Sequence, residues 1–244
     1  MSTSKPIISA IFYKNPVALD FELHVNHKLQ SVDKVGYSFA KEARAVYLTT
    51  IEFSEACKEY PIVFTKSGDK FSAMAAVSID GKVNCFVKGN DWNARYIPAF
   101  VRRYPFIPGV SSDGEKSKIT LMVDDSFTGF SPDADGEFLF SDNKASDLLQ
   151  QISDFVRNYH AESNRTNKFV QRLVDLDLLI EKRLQINYPD GSSQYSIAGG
   201  WLVDEVKLKS LDPEIIEKMH KSGDLFLIHM HISSLRNFSY LATL

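Results

Sequence analysis

Between Asn90 and Gly109 the chain reads NDWNARYIPAFVRRYPFIPG, and no other stretch restricts its own conformation so tightly. Trp92, Tyr96, Phe100, Tyr104 and Phe106 are interleaved with Arg95, Arg102 and Arg103 and with Pro98, Pro105 and Pro108. Aromatic rings offer large apolar faces, and a guanidinium stacks on such faces or grips a carboxylate through two parallel hydrogen bonds. Prolines fix the direction of the backbone between those anchors. A segment of this kind is either a recognition surface or a rigid packed corner. As a corner, Arg102 and Arg103 pair with internal carboxylates, Asp124 or Asp125, and the rings fill the core. As a surface, Trp92, Arg95, Tyr96, Arg102, Arg103 and Tyr104 hold an anionic or sugar-like group or a peptide carboxylate.

The remaining composition limits the partners. A net charge of −3 over 244 residues gives no basic footprint for nucleic acid. No window approaches the ~18 apolar residues that span a bilayer. The start, MSTSKPIISAIFYKNPVAL, is a broken apolar run unlike a secretory signal, so a cytoplasmic protein is expected. Cys57 and Cys85 then read as free thiols.

Periodicity predicts an α+β fold with a mostly antiparallel sheet, as a single domain over 1–244 with a possible subdivision into a β-rich 1–143 and a helical and mixed 144–244. Residues 60–66 form a strand, and 71–87 form a hairpin turning at Asp80-Gly81. A short helix covers 53–59 and stops before Pro61. Asp91 caps a turn over 92–96. Pro98 opens a short helix ending near Arg103. Ile119–Val123 reads as a central strand, and 110–118 as a charged, linker-like loop. Residues 137–140 form a short strand.

Ser146 caps an amphipathic helix over 146–160, and Thr166 or Asn167 starts a second. Residues 184–188 and 195–206 are strands joined by a turn at Pro189-Asp190-Gly191, with a bulge marked by Gly199-Gly200. Asp212-Pro213-Glu214 opens a helix that stops at Gly223. Residues 225–232 alternate as a strand, and 233–241 close as a short helix.

Few residues point to catalysis. His24 and His27 lie in an alternating stretch that reads as a strand, which would put them on opposite faces. His229 and His231 share one face of the expected strand and are the weak metal candidates. Asp124-Asp125 caps a turn at a strand end. Residues 133–137 resemble a calcium loop without its spacing and read as a turn. Phosphate-binding loops and nucleophile elbows are missing from the sequence. No cofactor is expected.

Tryptophan, then Tyr96-Ile97-Pro98, then Arg102-Arg103-Tyr104-Pro105-Phe106 resembles the signature region of the bacterial SapC family. Glu59–Phe64, Leu121–Asp124 and Gly223-Asp224-Leu225 followed by His231, Ser234, Leu235 and Asn237 fit it too, so the resemblance runs from about residue 10 to the end. It implies an association with bacterial surface layers. It also implies accessory genes beside outer-membrane nutrient receptors, cupin-like oxygenases and flavin-dependent halogenase homologues. It carries no catalytic residues. The expectation is a non-catalytic binding or accessory protein in envelope nutrient uptake or surface-layer assembly, acting through a protein partner or small ligand, with homo-oligomers possible. The alternative is a metal-assisted enzyme or enzyme subunit using His229, His231 and an aspartate.

Overall fold

The computed structural model describes residues 5–6, 11–79, 81–113, 116–187 and 194–244. Backbone contacts separate the chain into two units, each drawn from several stretches. One comprises residues 1–40, 89–92 and 100–161; the other comprises 41–88, 93–99 and 162–244. The division is interleaved and does not fall at residue 143. Every strand ladder among the described residues is antiparallel, which makes the fold α+β as the periodicity indicates.

In the first unit a four-stranded sheet runs in the order Lys5–Pro6, Phe106–Asp113, Lys116–Asp124, Pro16–Ala18. The stretch 110–118 is therefore no linker, because both its arms belong to one long hairpin with Thr120 opposite Gly109. Charge in the sequence does not by itself separate a loop from a hairpin arm, which needs apolar residues on one face only. Below lies an aromatic core. The Phe39 and Tyr104 rings stack at 4.0 Å, Phe12 meets Phe100 at 5.1 Å, and Tyr104 meets Phe127 edge-on at 5.3 Å.

A smaller sheet places Lys28–Leu29 between Phe130–Ser131 and Glu137–Phe138. The expected strand over 137–140 is broken into Glu137–Phe138 and Phe140–Ser141. The latter pairs with Lys144–Ala145 across Asp142 and Asn143, both at positive φ, the geometry of a two-residue hairpin turn. Gly136 runs so close to its neighbour that a Cβ would sit 2.0 Å from the Leu29 carbonyl oxygen.

Asp20 accepts from the Leu23 N–H and caps a one-turn helix, Phe21–His24, where a strand was expected. That short-range capping bond wins over the weak alternation of the stretch. His24 and His27 consequently meet, with ring centroids 5.1 Å apart against Phe130.

Helix Asp147–Asp175 contributes its beginning to the first unit and the rest to the second. Ser146 caps it, accepting from Leu149 N–H at 3.2 Å. No second helix starts at Thr166. Residues 161–165 hold neither Gly nor Pro, and the Thr166 hydroxyl donates to the Glu162 carbonyl inside the same helix at 2.8 Å.

The second unit is built on a five-stranded sheet in the order Leu179–Asn187, Gln194–Val203, Ile62–Ser67, Lys70–Ala76, Ala45–Tyr47. Its central hairpin turns at Gly68-Asp69, with Gly68 at φ 58°. The hairpin expected over 71–87 does not form. Residues 82–86 are not extended, because the buried Asn84 side chain accepts from Phe86 N–H and its backbone N–H donates to Lys41. Asp80, in the expected turn, and Pro189-Asp190-Gly191 lie outside the described residues. Where Lys182 faces Gly200 and Leu184 faces Ile197, two residues oppose one, the bulge that Gly199-Gly200 announces.

Pro213–Ser222 is a helix closed by Gly223 in the left-handed region at φ 82°. The next residues continue as helix Asp224–Ser234, not as the expected strand over 225–232. The run is apolar nearly all round, so it suits an element contacted from several sides more than a strand with one wet face. It packs on Phe53–Ala56, Pro213–Ser222 and two strands of the sheet. Among the described residues the ladder between Gln194–Val203 and Ile62–Ser67 holds one residue pair, Trp201 opposite Phe64. Beyond it the His231 imidazole takes over, Nδ1–H donating to the Ile62 carbonyl at 2.8 Å and Nε2 accepting from Val203 N–H at 3.2 Å. Asn237–Leu241 is the last helix, and no helix among the described residues is long and apolar enough to cross a membrane.

Candidate functional site

Pro98 precedes the single turn Ala99–Arg102, as its fixed φ favours. Successive residues then point opposite ways. Arg102 is exposed, its Cζ 5.4 Å from the Phe155 ring. Arg103 is 2% exposed and enters the aromatic core of the first unit. Its Cζ lies 4.5 Å from the Phe100 ring, 4.7 Å from Tyr159 and 5.7 Å from Tyr13. Its Nε, Nη1 and Nη2 are all buried without a hydrogen-bond partner among the described residues.

Neither aspartate foreseen as a counterion forms an ion pair with Arg103. Asp124 is fully buried and saturated. Its Oδ1 accepts from Asn15 N–H at 3.0 Å, Ser126 N–H at 3.2 Å and the Ser126 hydroxyl at 2.7 Å. Its Oδ2 accepts from Lys14 N–H at 2.9 Å and the Tyr104 hydroxyl at 3.3 Å. Burial works against ionisation, but these donors outweigh it and hold the carboxyl below its usual range. Turn capping is thus what Asp124 does. Asp125 is occupied by the Asn15 amide at 2.7 Å.

The Tyr13 hydroxyl donates to the Phe106 carbonyl at 2.7 Å. Burial pushes it up to about 12 against the opposing Arg103 charge, yet the geometry between the two falls short of a hydrogen bond. Tyr104 is also raised, by burial and then by Asp124.

The six residues marked by sequence are divided between the units. Trp92, Arg102, Arg103 and Tyr104 belong to the first, Arg95 and Tyr96 to the second. Trp92 is buried edge-on to Tyr37 at 5.9 Å. Asp91–Trp92 is extended, so Asp91 opens no turn. In the second unit the Tyr96 hydroxyl donates to Glu52 Oε1 at 2.8 Å, and the backbone N–H of the exposed Arg95 donates to Glu59 Oε2 at 2.9 Å. Of the six, Arg103 and Tyr104 are consecutive and share one neighbourhood with Tyr13, Phe100, Tyr159 and Asp124. Sequence reasoning missed Tyr13 and Tyr159. No spacing signals them, because they approach Arg103 from segments 90 residues before it and 56 after it. An open groove of about 370 Å³ in the same unit, between Leu29–Ser31, Lys34, residues 135–137 and Leu148, contains none of the six.

The weak metal candidates separate. On a helix, residues two apart face different ways; His229 is exposed and His231 fully buried. Both ring nitrogens of His231 are engaged, and burial lowers it to about 4, so it has no lone pair to offer a metal. No group of three or more His, Cys, Asp or Glu with metal-holding geometry occurs among the described residues. Cys57 and Cys85 are free thiols, and burial pushes Cys57 up, away from the thiolate.

The molecule is thus an antiparallel α+β protein whose proline- and aromatic-rich segment feeds a guanidinium into the core of one unit. The SapC family profile matches residues 19–241, nearly the whole chain, so the chain belongs to the SapC family. No curated protein and no solved structure matches it.

Proposed function

We propose that this chain is a non-catalytic binding or accessory protein that recognises an anionic group on a small ligand or protein partner through the segment 90–109. The observation that carries this reading is the buried Arg103 guanidinium with no hydrogen-bond partner among the described residues. A buried charge without a directly bonded counterion costs at most on the order of 3–5 kcal/mol. Ring contacts return part of that, on the order of 2 kcal/mol for a desolvated cation–π pair. The unmet in-plane N–H donors still favour an acceptor supplied from outside. Support of envelope nutrient uptake or surface-layer assembly is the setting that the SapC resemblance suggests.

Arg102 is the exposed cation next to Arg103 in the same unit. Arg102→Ala is expected to leave the melting temperature within a degree or two and to weaken capture of a partner or binding of anions. Unchanged binding in Arg102→Ala, with unchanged binding in Arg103→Met, overturns the reading.

A further inference from the structure

We infer that the group seated on Arg103 is a singly charged carboxylate, carried by a small organic acid or by the carboxyl terminus of a peptide. This rests on the anion-recognition reading above.

The geometry narrows the chemistry in three ways. First, Nε, Nη1 and Nη2 lie in one plane, and all three are buried and unmet. The neighbouring rings of Phe100, Tyr159 and Tyr13 offer π-faces. The Tyr13 hydroxyl is committed to the Phe106 carbonyl. Two oxygens in the guanidinium plane are what is missing, and a carboxylate presents them in a bidentate fork.

Second, Asp124 cannot fill the role. Five donors already occupy its two oxygens, so it cannot turn to Arg103 without abandoning the turn it caps. Its negative charge nevertheless stays in the neighbourhood, since Tyr13 feels both Arg103 and Asp124. A monoanion leaves one net negative charge there, whereas a phosphate dianion leaves two in a water-poor setting. Carboxylate is therefore favoured over phosphate.

Third, the groups packed against the guanidinium are aromatic rings, so the body behind the carboxylate is apolar or aromatic. Because Arg103 is 2% exposed, a ring must turn aside before the acid enters. Association is then expected below the ~10⁵ M⁻¹s⁻¹ of unhindered docking.

The test uses the full chain in low salt. Acetate, benzoate, phenylacetate and a short peptide with a free carboxyl end are each compared with their amides, and with inorganic phosphate, by melting temperature and calorimetry. A benzoate-type acid at a hundredfold excess over its Kd is expected to raise the melting temperature by about 5–10 °C. The matching amide is expected to do nothing. Arg103→Met should abolish the shift while melting no lower than the unliganded wild type, and Arg103→Lys should weaken binding at least tenfold. If Arg103→Met fails to fold, the acid–amide comparison on the wild type and the lysine variant decide. Preference for the free acids or for the peptide identifies the source of the carboxylate. Phosphate binding as tightly as any carboxylate, with Arg103 dependence, overturns the carboxylate inference and leaves anion recognition standing. No Arg103-dependent anion at all overturns both.

Discussion

Removing the Glu52 carboxylate tests how firmly residues 93–99 are held within the second unit. Glu52 is 3% exposed and lies in the capping box opened by Thr49. Its Oε2 accepts from the Thr49 N–H at 2.8 Å and the Thr49 hydroxyl at 2.7 Å. Its Oε1 accepts from the Tyr96 hydroxyl at 2.8 Å and the Ala99 N–H at 2.7 Å. Hydrogen bonds to a carboxylate contribute about 1.5–3 kcal/mol each in isolation. Four on one buried group do not add, since burying the charge itself costs several kcal/mol. Glu52→Ala strands four donors and opens a void, and a loss of about 3–5 kcal/mol is expected. For a chain of this size that lowers the melting temperature by roughly 6–20 °C. Glu52→Gln keeps the volume and one acceptor oxygen but turns an amide N–H₂ toward a donor pair, and should cost about half as much. Urea unfolding followed by circular dichroism and by tryptophan fluorescence reads both variants. A loss under ~1 kcal/mol in Glu52→Ala would refute the accounting, as would a glutamine variant worse than alanine.

The pH dependence of stability should carry the mark of His231, held neutral by burial at about 4 against an ordinary 6.5. The unfolded chain binds the extra proton, so stability is full above pH 6.5 and declines by about 3 kcal/mol as pH falls toward 4; a urea-midpoint profile that stays flat there, or that His231→Gln leaves unchanged, contradicts this. Gly136→Ala places a Cβ 2.0 Å from a backbone oxygen that cannot give way, whereas Gly200→Ala meets nothing within 4 Å. The first should lose about 2–4 kcal/mol and the second under ~1, and equal losses in equilibrium unfolding would show that the close approach relaxes freely.

The elements that sequence foretold are those whose signals are local. Pro98 ahead of Ala99–Arg102, Ser146 ahead of Asp147, and Asp212-Pro213 with Gly223 fix helix ends through bonds within a few residues. Asp124 as a turn cap is legible for the same reason. Elsewhere tertiary packing overrode the pattern. Residues 225–232 alternate on paper, yet an almost wholly apolar run has no polar face to betray its period, and packing from several sides made it a helix. Thr166 looks like a cap and is instead a mid-helix residue bonded to the carbonyl four back. The site was half legible. Composition singled out Arg102 and Arg103, but nothing in two adjacent arginines says which one turns inward. Tyr13 and Tyr159, which face the guanidinium, are linked to it only by the fold.

The imidazole wedged between Ile62 and Val203 sets an order of events for the second unit. Its sheet holds a rung that is not backbone, supplied by a side chain 169 positions after one strand and 28 after the other. Past the Trp201–Phe64 pair the seam cannot be completed until helix Asp224–Ser234 has arrived, so helix docking and full closure of the sheet become one kinetic step. Long-range closures of this kind slow folding, because loop entropy is lost before the contact repays it. During refolding, pulse-labelled amide exchange should find the Val203 N–H protected together with the helix and later than the Ile62–Ala76 hairpin. A chain released stepwise from a ribosome would carry an unsealed sheet edge until helix Asp224–Ser234 had emerged.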